Sequence, residues 1–177
     1  MNPDSFIRQT SFNLFGSFDA NMVRIKGIPT VHTACIDGDV ETVRRLALED
    51  TKTLEEPDLV GSRPLHVASC YGHTGLIRYL LSHGVDIDCR DNYKSTPLVV
   101  TSSADVVELL VSFGADIDAV NVNNLSGRIV SANNPYVDQA IKAGLQKLNK
   151  RKEYLRQYLM HGSGPIAEGD SDETTHL

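Results

Sequence analysis

The chain has 177 residues, enough for one ordinary domain with its own core and too few for two. Hydrophobic content of 41% and charged content of 23% are near globular averages, while 6% aromatics and no Trp argue against a large aromatic-lined pocket. The net charge of −6 is uneven: Lys and Arg stand to Asp and Glu as 3 to 2 over residues 1–29, 7 to 15 over 30–127, 7 to 2 over 128–160 and 0 to 4 over 161–177. An acidic body of this kind repels nucleic acid, so no nucleic-acid partner is expected and any such binding is confined to the basic segment. No apolar run is long enough for a membrane span, and the first residues show neither a secretion signal nor a myristoylation glycine. A soluble cytoplasmic protein is expected, with the nucleus also open to it. Cys35, Cys70 and Cys89 are an odd number without zinc-type or CxxC spacing, and read as reduced thiols.

In chain order, residues 1–23 come first, with Phe6, Phe12, Phe15 and Phe18 following neither helical nor strand spacing. They read either as a cap laid over the neighbouring segment of the chain or as a linear motif that docks a partner. Arg8, three residues before Ser11, adds a short basophilic-kinase pattern.

From about residue 24 the chain repeats itself. "GSRPLHVASCYGHTGLIRYLLSHGVDIDCRD" aligns with "KSTPLVVTSSADVVELLVSFGADIDAVN"; Pro64 and Pro97 are 33 residues apart, and His32 to His66 and Gly38 to Gly72 are each 34. Pro64 and Pro97 suit the first turn of a helix, and Gly72 ends it after about two turns. Leu76, Ile77, Leu80 and Leu81 then recur at one-face helical spacing, matched by Val106, Val107, Leu109 and Leu110. Gly84 and Gly114 come just past the second helix, where a left-handed residue ends it cheaply, and "DID" runs on into a turn. Read as calcium loops, "GVDIDCRDN" and "GADIDAVNV" fail: counted from Asp86, Arg90 stands at position 5, Asp91 at 6 and Pro97 at 12. No metal and no cofactor is expected.

A period near 33, a TPLH-like tetrad and a later "LLxxGAD" resemble the ankyrin repeat over residues 24 to 130, and more weakly to 160. The resemblance implies an all-α solenoid of stacked helix-turn-helix units joined by hairpin-like loops. Its units are set at 24–57, 58–90 and 91–120, with a degenerate C-terminal cap over 121–160. In that family the tetrad's Thr and His share a structural hydrogen-bond network. Here Arg63 replaces Thr in one tetrad and Val99 replaces His in the next, so neither network is complete. His32 and His66 read as structural. Gly84 to Gly114 spans 30 residues, and the shortfall lies in "TSSAD", which predicts a truncated first helix in the third repeat.

Residues 134 to 161 read as a helix with Asn134 as N-cap, Pro135 first and Gly162 as stop, which Gly144 kinks or divides. Val137, Ile141, Leu148, Leu155 and Leu159 mark an apolar face, and Lys142, Lys147, Lys150, Arg151, Lys152 and Arg156 make the remainder basic. The reading is a solvated cap whose basic end suits the helix dipole; the alternative is a site for an acidic partner, lipid headgroups or an import factor. Residues 161–177 read as a disordered acidic tail. It ends "ETTHL", in which Thr175 and Leu177 match ligands resembling the class I PDZ motif, so a PDZ-domain protein is a candidate partner.

The expectation is a non-enzymatic protein-interaction module or adaptor. No phosphate-cradling loop, GxSxG or HExxH is present, and Cys70 with His73 is the only nucleophile and base pairing close in sequence, at positions the repeat accounts for. A ubiquitin-ligase receptor lacks support, because no Cys comes after Cys89 to build a SOCS-type box. In the family the variable hairpin tips and first-helix edges hold the partner. Those positions here are Lys26, Ile36, Asp37, Leu59, Val60, Ser62, Cys70, Tyr71, Asn92, Tyr93, Val122 and Asn123. Leu59, Val60, Tyr71 and Tyr93 among them are expected to form an apolar patch.

Overall fold

The structure, a computed structural model, describes residues 30–132 and 134–161, which are helical and loop throughout with no strand. The Phe-rich segment, Lys26 and the ETTHL tail lie outside the described residues. Short helices form in pairs, each opened by local chemistry. Helix α1 (Val31–Asp37) starts behind Thr30, whose hydroxyl accepts the Thr33 N–H at 3.2 Å. Helix α2 (Val40–Glu49) starts behind Asp39, whose carboxylate accepts the Thr42 N–H at 3.0 Å, and a 3-10 turn, Thr51–Glu55, buries Leu54 behind it.

Helix α3 (Pro64–Tyr71) places Pro64 where a missing N–H costs nothing, and Gly72 ends it at φ 83° in the left-handed region. Helix α4 (Thr74–Ser82) turns back along it. The next pair is α5 (Pro97–Val100) and α6 (Ala104–Phe113), and the last is α7 (Gly127–Ala132) and α8 (Pro135–His161). First helices pack on first helices, α1 on α3 on α5 on α7, and second helices on second helices, α2 on α4 on α6 on α8. The chain is thus an all-α solenoid of two helical layers. Its core runs along the seam, with Leu65, Leu76, Ile77, Leu80, Leu98 and Leu110 at 2% exposure or less. No single pair buries enough to stand alone, so each relies on its neighbours.

The third repeat is cut short. Helix α5 has four residues where α3 has eight, because three residues are missing between Pro97 and the start of α6. Its tetrad is incomplete too: the buried Thr96 hydroxyl has no hydrogen-bond partner, since Val99 stands where the previous tetrad has His66. An unpaired buried hydroxyl costs on the order of 1–3 kcal/mol.

Gly144 does not divide helix α8; the helix runs unbroken over 27 residues. The glycine serves close packing instead. A Cβ there would lie 2.8 Å from both the Glu108 carbonyl oxygen and the Val111 Cβ of α6, so only glycine lets the two helices meet this closely. Asn134 opens the helix as its N-cap, accepting the Tyr136 N–H at 3.0 Å.

With half a first helix, repeat three opens more readily than repeat two. The orphaned hydroxyl does not separate them, since Ser69 of repeat two carries an unpaired buried hydroxyl just as Thr96 does. Amide exchange is expected to show weaker protection over residues 98–112 than over 65–81; equal or stronger protection would contradict this account.

Candidate protein-binding surface

Three five-residue hairpin tips share one template: Asp58–Ser62, Asp91–Ser95 and Asn121–Leu125. The first residue closes each tip through its own backbone, as in Asp58 N–H to Ser62 carbonyl at 2.9 Å and Asn121 N–H to Leu125 carbonyl at 3.0 Å. Its side chain then accepts two further N–H groups: Asp58 from Val60 and Ser62, Asp91 from Tyr93 and Ser95, Asn121 from Asn123 and Leu125. Such self-capping is the turn chemistry of Asp and Asn. The fourth residue of every tip is left-handed: Gly61 at φ 77°, Lys94 at 57° and Asn124 at 56°. Glycine is required at the first, where a Cβ would stand 2.8 Å from the Asn92 backbone nitrogen.

That close approach belongs to a ladder between tips. Asn92 N–H donates to the Val60 carbonyl at 3.1 Å, and Val122 N–H to the Tyr93 carbonyl at 3.0 Å. With the backbone bound inward, the side chains of the second and third tip positions are left outward. Leu59 is 91% exposed and Val122 54%, with Val60 and Tyr93 also exposed, so the tips carry a row of apolar groups. Asn92 and Asn123 are exposed between them.

The other expected positions divide. Cys70 and Asp37 are exposed at helix ends, whereas Ile36 and Tyr71 are half-buried and pack on the core. Tyr71 stacks parallel to His73 at 6.4 Å between ring centres. It therefore stands apart from the tip row by role: with Ser62, His66, Val67, Cys70 and Val100 it lines a cavity of about 50 Å³ beside the shortened α5. Ser62 is half-buried, its carbonyl engaged by His32.

Buried imidazoles hold the tips in place. His32 Nε2 meets the Ser62 carbonyl at 3.1 Å, and His66 Nε2 meets the Ser95 carbonyl at 2.9 Å, each reaching from one repeat to the next tip. On the other ring nitrogen, His66 Nδ1 accepts the Arg63 N–H at 3.2 Å, which fixes the neutral ring with its proton on Nε2. Burial pushes the His66 pKa below its usual value. His73 makes the corresponding outer contact, Nε2 to the Ile36 carbonyl at 2.9 Å. Burial also raises the Cys35 and Cys89 thiols to about 12, so both stay protonated and poorly nucleophilic.

The aspartates of the "DID" stretches knit repeats together. Glu55 accepts the Asp86 N–H at 3.3 Å and Asp88 the Asp116 N–H at 3.0 Å; Asp86 and Asp116 each accept an N–H from two residues on. Asp118 closes the series on Arg128, with Nη2 to Oδ2 at 3.0 Å, which holds the Asp118 carboxyl below its usual range. Sequence reading passed over the tip residues Asp58, Asp91 and Asn121. The signal was present, since they recur at the spacing of the repeat itself.

Stacked helix pairs joined by laddered hairpin tips define a helical-repeat solenoid. The family described as Ankyrin repeats (3 copies) matches residues 11–91 and 31–121, more than half of the chain, and the chain belongs to it. It is similar to an ankyrin repeat-containing protein of Schizosaccharomyces pombe, 29% identical over 114 residues, 63% of this chain and 55% of that one. It is also similar to protein phosphatase 1 regulatory subunit 27 of Mus musculus, 34% identical over 87 residues, 48% of this chain and 56% of that one. A third similarity is to a transient receptor potential cation channel subfamily A member 1 homolog of Caenorhabditis elegans, 34% identical over 92 residues, 50% of this chain and 8% of that one. The chain thus spans less than two thirds of the length of each. Among the described residues, no helix is long and apolar enough to cross a membrane.

The His66 geometry sets a pH dependence. Its folded pKa is lowered, so the unfolded chain takes up the proton first, and stability present above the ordinary histidine pKa of about 6.5 is lost as pH falls through and below it. Denaturant titrations at pH 7.5 and 5.5 are expected to show wild type losing more stability on acidification than His66→Gln. An equal loss in both would remove His66 as the cause.

Proposed function

We propose that this chain is a non-enzymatic protein-interaction module whose hairpin tips, with the adjoining concave face of the first helices, hold a partner protein. The observation that carries the reading is the tip row. Its backbone is satisfied internally by the ladder while Leu59, Val60, Tyr93 and Val122 are presented to solvent. A tip backbone already held by the ladder loses little entropy on binding, and Tyr is a common anchor at interfaces. The family supports it, as does the relative named a regulatory subunit, a word that describes a partner of an enzyme rather than an enzyme. The histidines support it from the other side. His32, His66 and His73 are each committed to a backbone carbonyl, and two of the three thiols are buried and protonated.

The test is affinity capture with wild type beside a Leu59→Ser, Tyr93→Ala double variant whose helical signal and melting are unchanged. Proteins retained by the wild type are expected to bind the double variant about tenfold more weakly. Undiminished binding would move the site off the tips.

The adaptor role rests on the "ETTHL" stretch, in which Thr175 and Leu177 are spaced as in ligands resembling the class I PDZ motif. A PDZ-like groove would take such an end as an added strand, bury Leu177 and bond Thr175. The tail peptide is expected to bind a PDZ array, and to lose that binding on Thr175→Ala or C-terminal amidation. Indifference to both changes would remove the tail as a docking site.

A further inference from the structure

Helix α8 is longer than the repeat it closes. Its 27 residues extend about 40 Å, against about 15 Å for the ten residues of α6 beside it. The two run side by side through Val137, Ala140 and Ile141, all buried, and through Gly144 against Val111. Then α6 ends at Phe113, over whose ring Arg151 lies at 5.6 Å, and α8 continues with its sides exposed. The seam does not stop there. Positions 137, 141, 144, 148, 151, 155 and 158 form one heptad stripe, and its uncovered end holds Leu155 at 49% exposure and Tyr158 at 51%, with Leu159 beside them at 82%.

The covered half of the stripe shows what chemistry it accepts. Its occupant, α6, is an aliphatic helix, "ADVVELLVSF", whose edge carboxylate Glu108 pairs with Lys147 of α8 at 2.8 Å. The uncovered half offers the same combination one step on. Leu155, Tyr158 and Leu159 supply the apolar stripe beyond Arg151, while Lys150, Lys152 and Arg156 flank it against the single carboxylate of Glu153. Glu153 already pairs with Arg156 at 2.8 Å, and among the described residues no carboxylate meets Lys150 or Lys152. This excess of positive charge disfavours a second copy of the same helix, which would bring cation against cation. It also selects an acidic occupant. The cations lie around the helix rather than opposite a broad apolar face, unlike the segregation of a helix that lies on a membrane.

We infer that the overhanging end of α8, residues 149 to 160, is a second docking surface, and that its occupant is an amphipathic helix of another protein with an aliphatic seam and carboxylates at its edges. That helix continues the row begun by α6, as a further second-layer helix supplied in trans. The surface is separate from the hairpin tips and stands or falls without them.

The probe is a synthetic three-heptad peptide with leucine at the a and d positions and glutamate at e and g; its twin carries lysine at e and g. Like charges keep each peptide from pairing with itself. Titrated by fluorescence anisotropy into the full chain, the glutamate peptide is expected to bind and the lysine peptide to bind at least about tenfold more weakly. Leu155→Ser with Leu159→Ser is expected to weaken the glutamate peptide by about tenfold or more, with the fold intact because both side chains are exposed. Lys150→Glu with Lys152→Glu is expected to narrow or reverse the preference between peptides. Leu59→Ser with Tyr93→Ala is expected to change nothing, which separates this surface from the tips.

Equal binding of the two peptides, or binding indifferent to the leucine pair, overturns the inference. So does binding seen only after residues 162–177 are deleted, which would make the chain's own acidic tail the occupant. Sedimentation showing a wild-type dimer dissolved by the leucine substitutions would assign the face to a second copy. Binding of the chain to phosphatidylserine-containing vesicles with the same leucine dependence, and none to the glutamate peptide, would assign it to a lipid surface.

Discussion

The bond from a buried imidazole to the carbonyl of the next hairpin governs how this array is built. A histidine ring taken out of water must satisfy both nitrogens, and His66 does so with one N–H from its own helix start and one carbonyl from the adjacent repeat. That pairing fixes the distance between a first helix and the next tip, and once the tip is fixed its backbone reaches its neighbour. The Asn92-to-Val60 and Val122-to-Tyr93 bonds result from it, as does the close approach that requires Gly61. Outward display of Leu59, Tyr93 and Val122 is then a consequence of where the backbone bonds go rather than a feature of the side chains alone.

Where the imidazole is missing, the design changes. Val99 cannot reach the Leu125 carbonyl, Thr96 keeps a buried hydroxyl without a partner, and α5 loses its second turn. The tip ladder nevertheless continues, because Asn121 takes up the capping role of Asp58 and Asp91 and adds a bond from its amide to the Ser95 hydroxyl at 3.2 Å. On the second layer, α8 packs on α6 along the stripe that ends at Arg151.

Charge is distributed with the same logic. Acidic residues of the body accept backbone N–H groups within and between repeats, and such bonds favour the ionised carboxylate. Asp39 shows it locally: hydrogen bonds from Thr42 hold its carboxyl below the usual range. The cations of α8 have fewer such duties. Lys147 meets Glu108 and Lys142 meets Asp138 at 2.7 Å, but among the described residues no helix faces α8 past the end of α6 to supply carboxylates. An acidic array ending in a basic projection is therefore a molecule with two differently charged surfaces.

Much of this was legible in the residues themselves. The prolines at first turns and Gly72 at a helix end act on neighbouring dihedrals, so each specified a helix start or stop locally, while the 33-residue spacing and the short "TSSAD" were legible by comparing one repeat with the next. The tip positions came from the family resemblance, while the turn-forming Asp58, Asp91 and Asn121 were passed over although they recur with the repeat. Gly144 shows the limit: read locally it weakens a helix, yet its purpose is set by the Glu108 carbonyl and Val111, which sequence proximity does not reveal. Tyr71 was grouped with the tips by its position in the repeat, but packing turned it toward His73 and the core. Leu148, Leu155 and Leu159 look alike on a helical face. Only the tertiary structure decides which of them is covered, because burial depends on where the neighbouring helix ends, and α6 ends at Phe113.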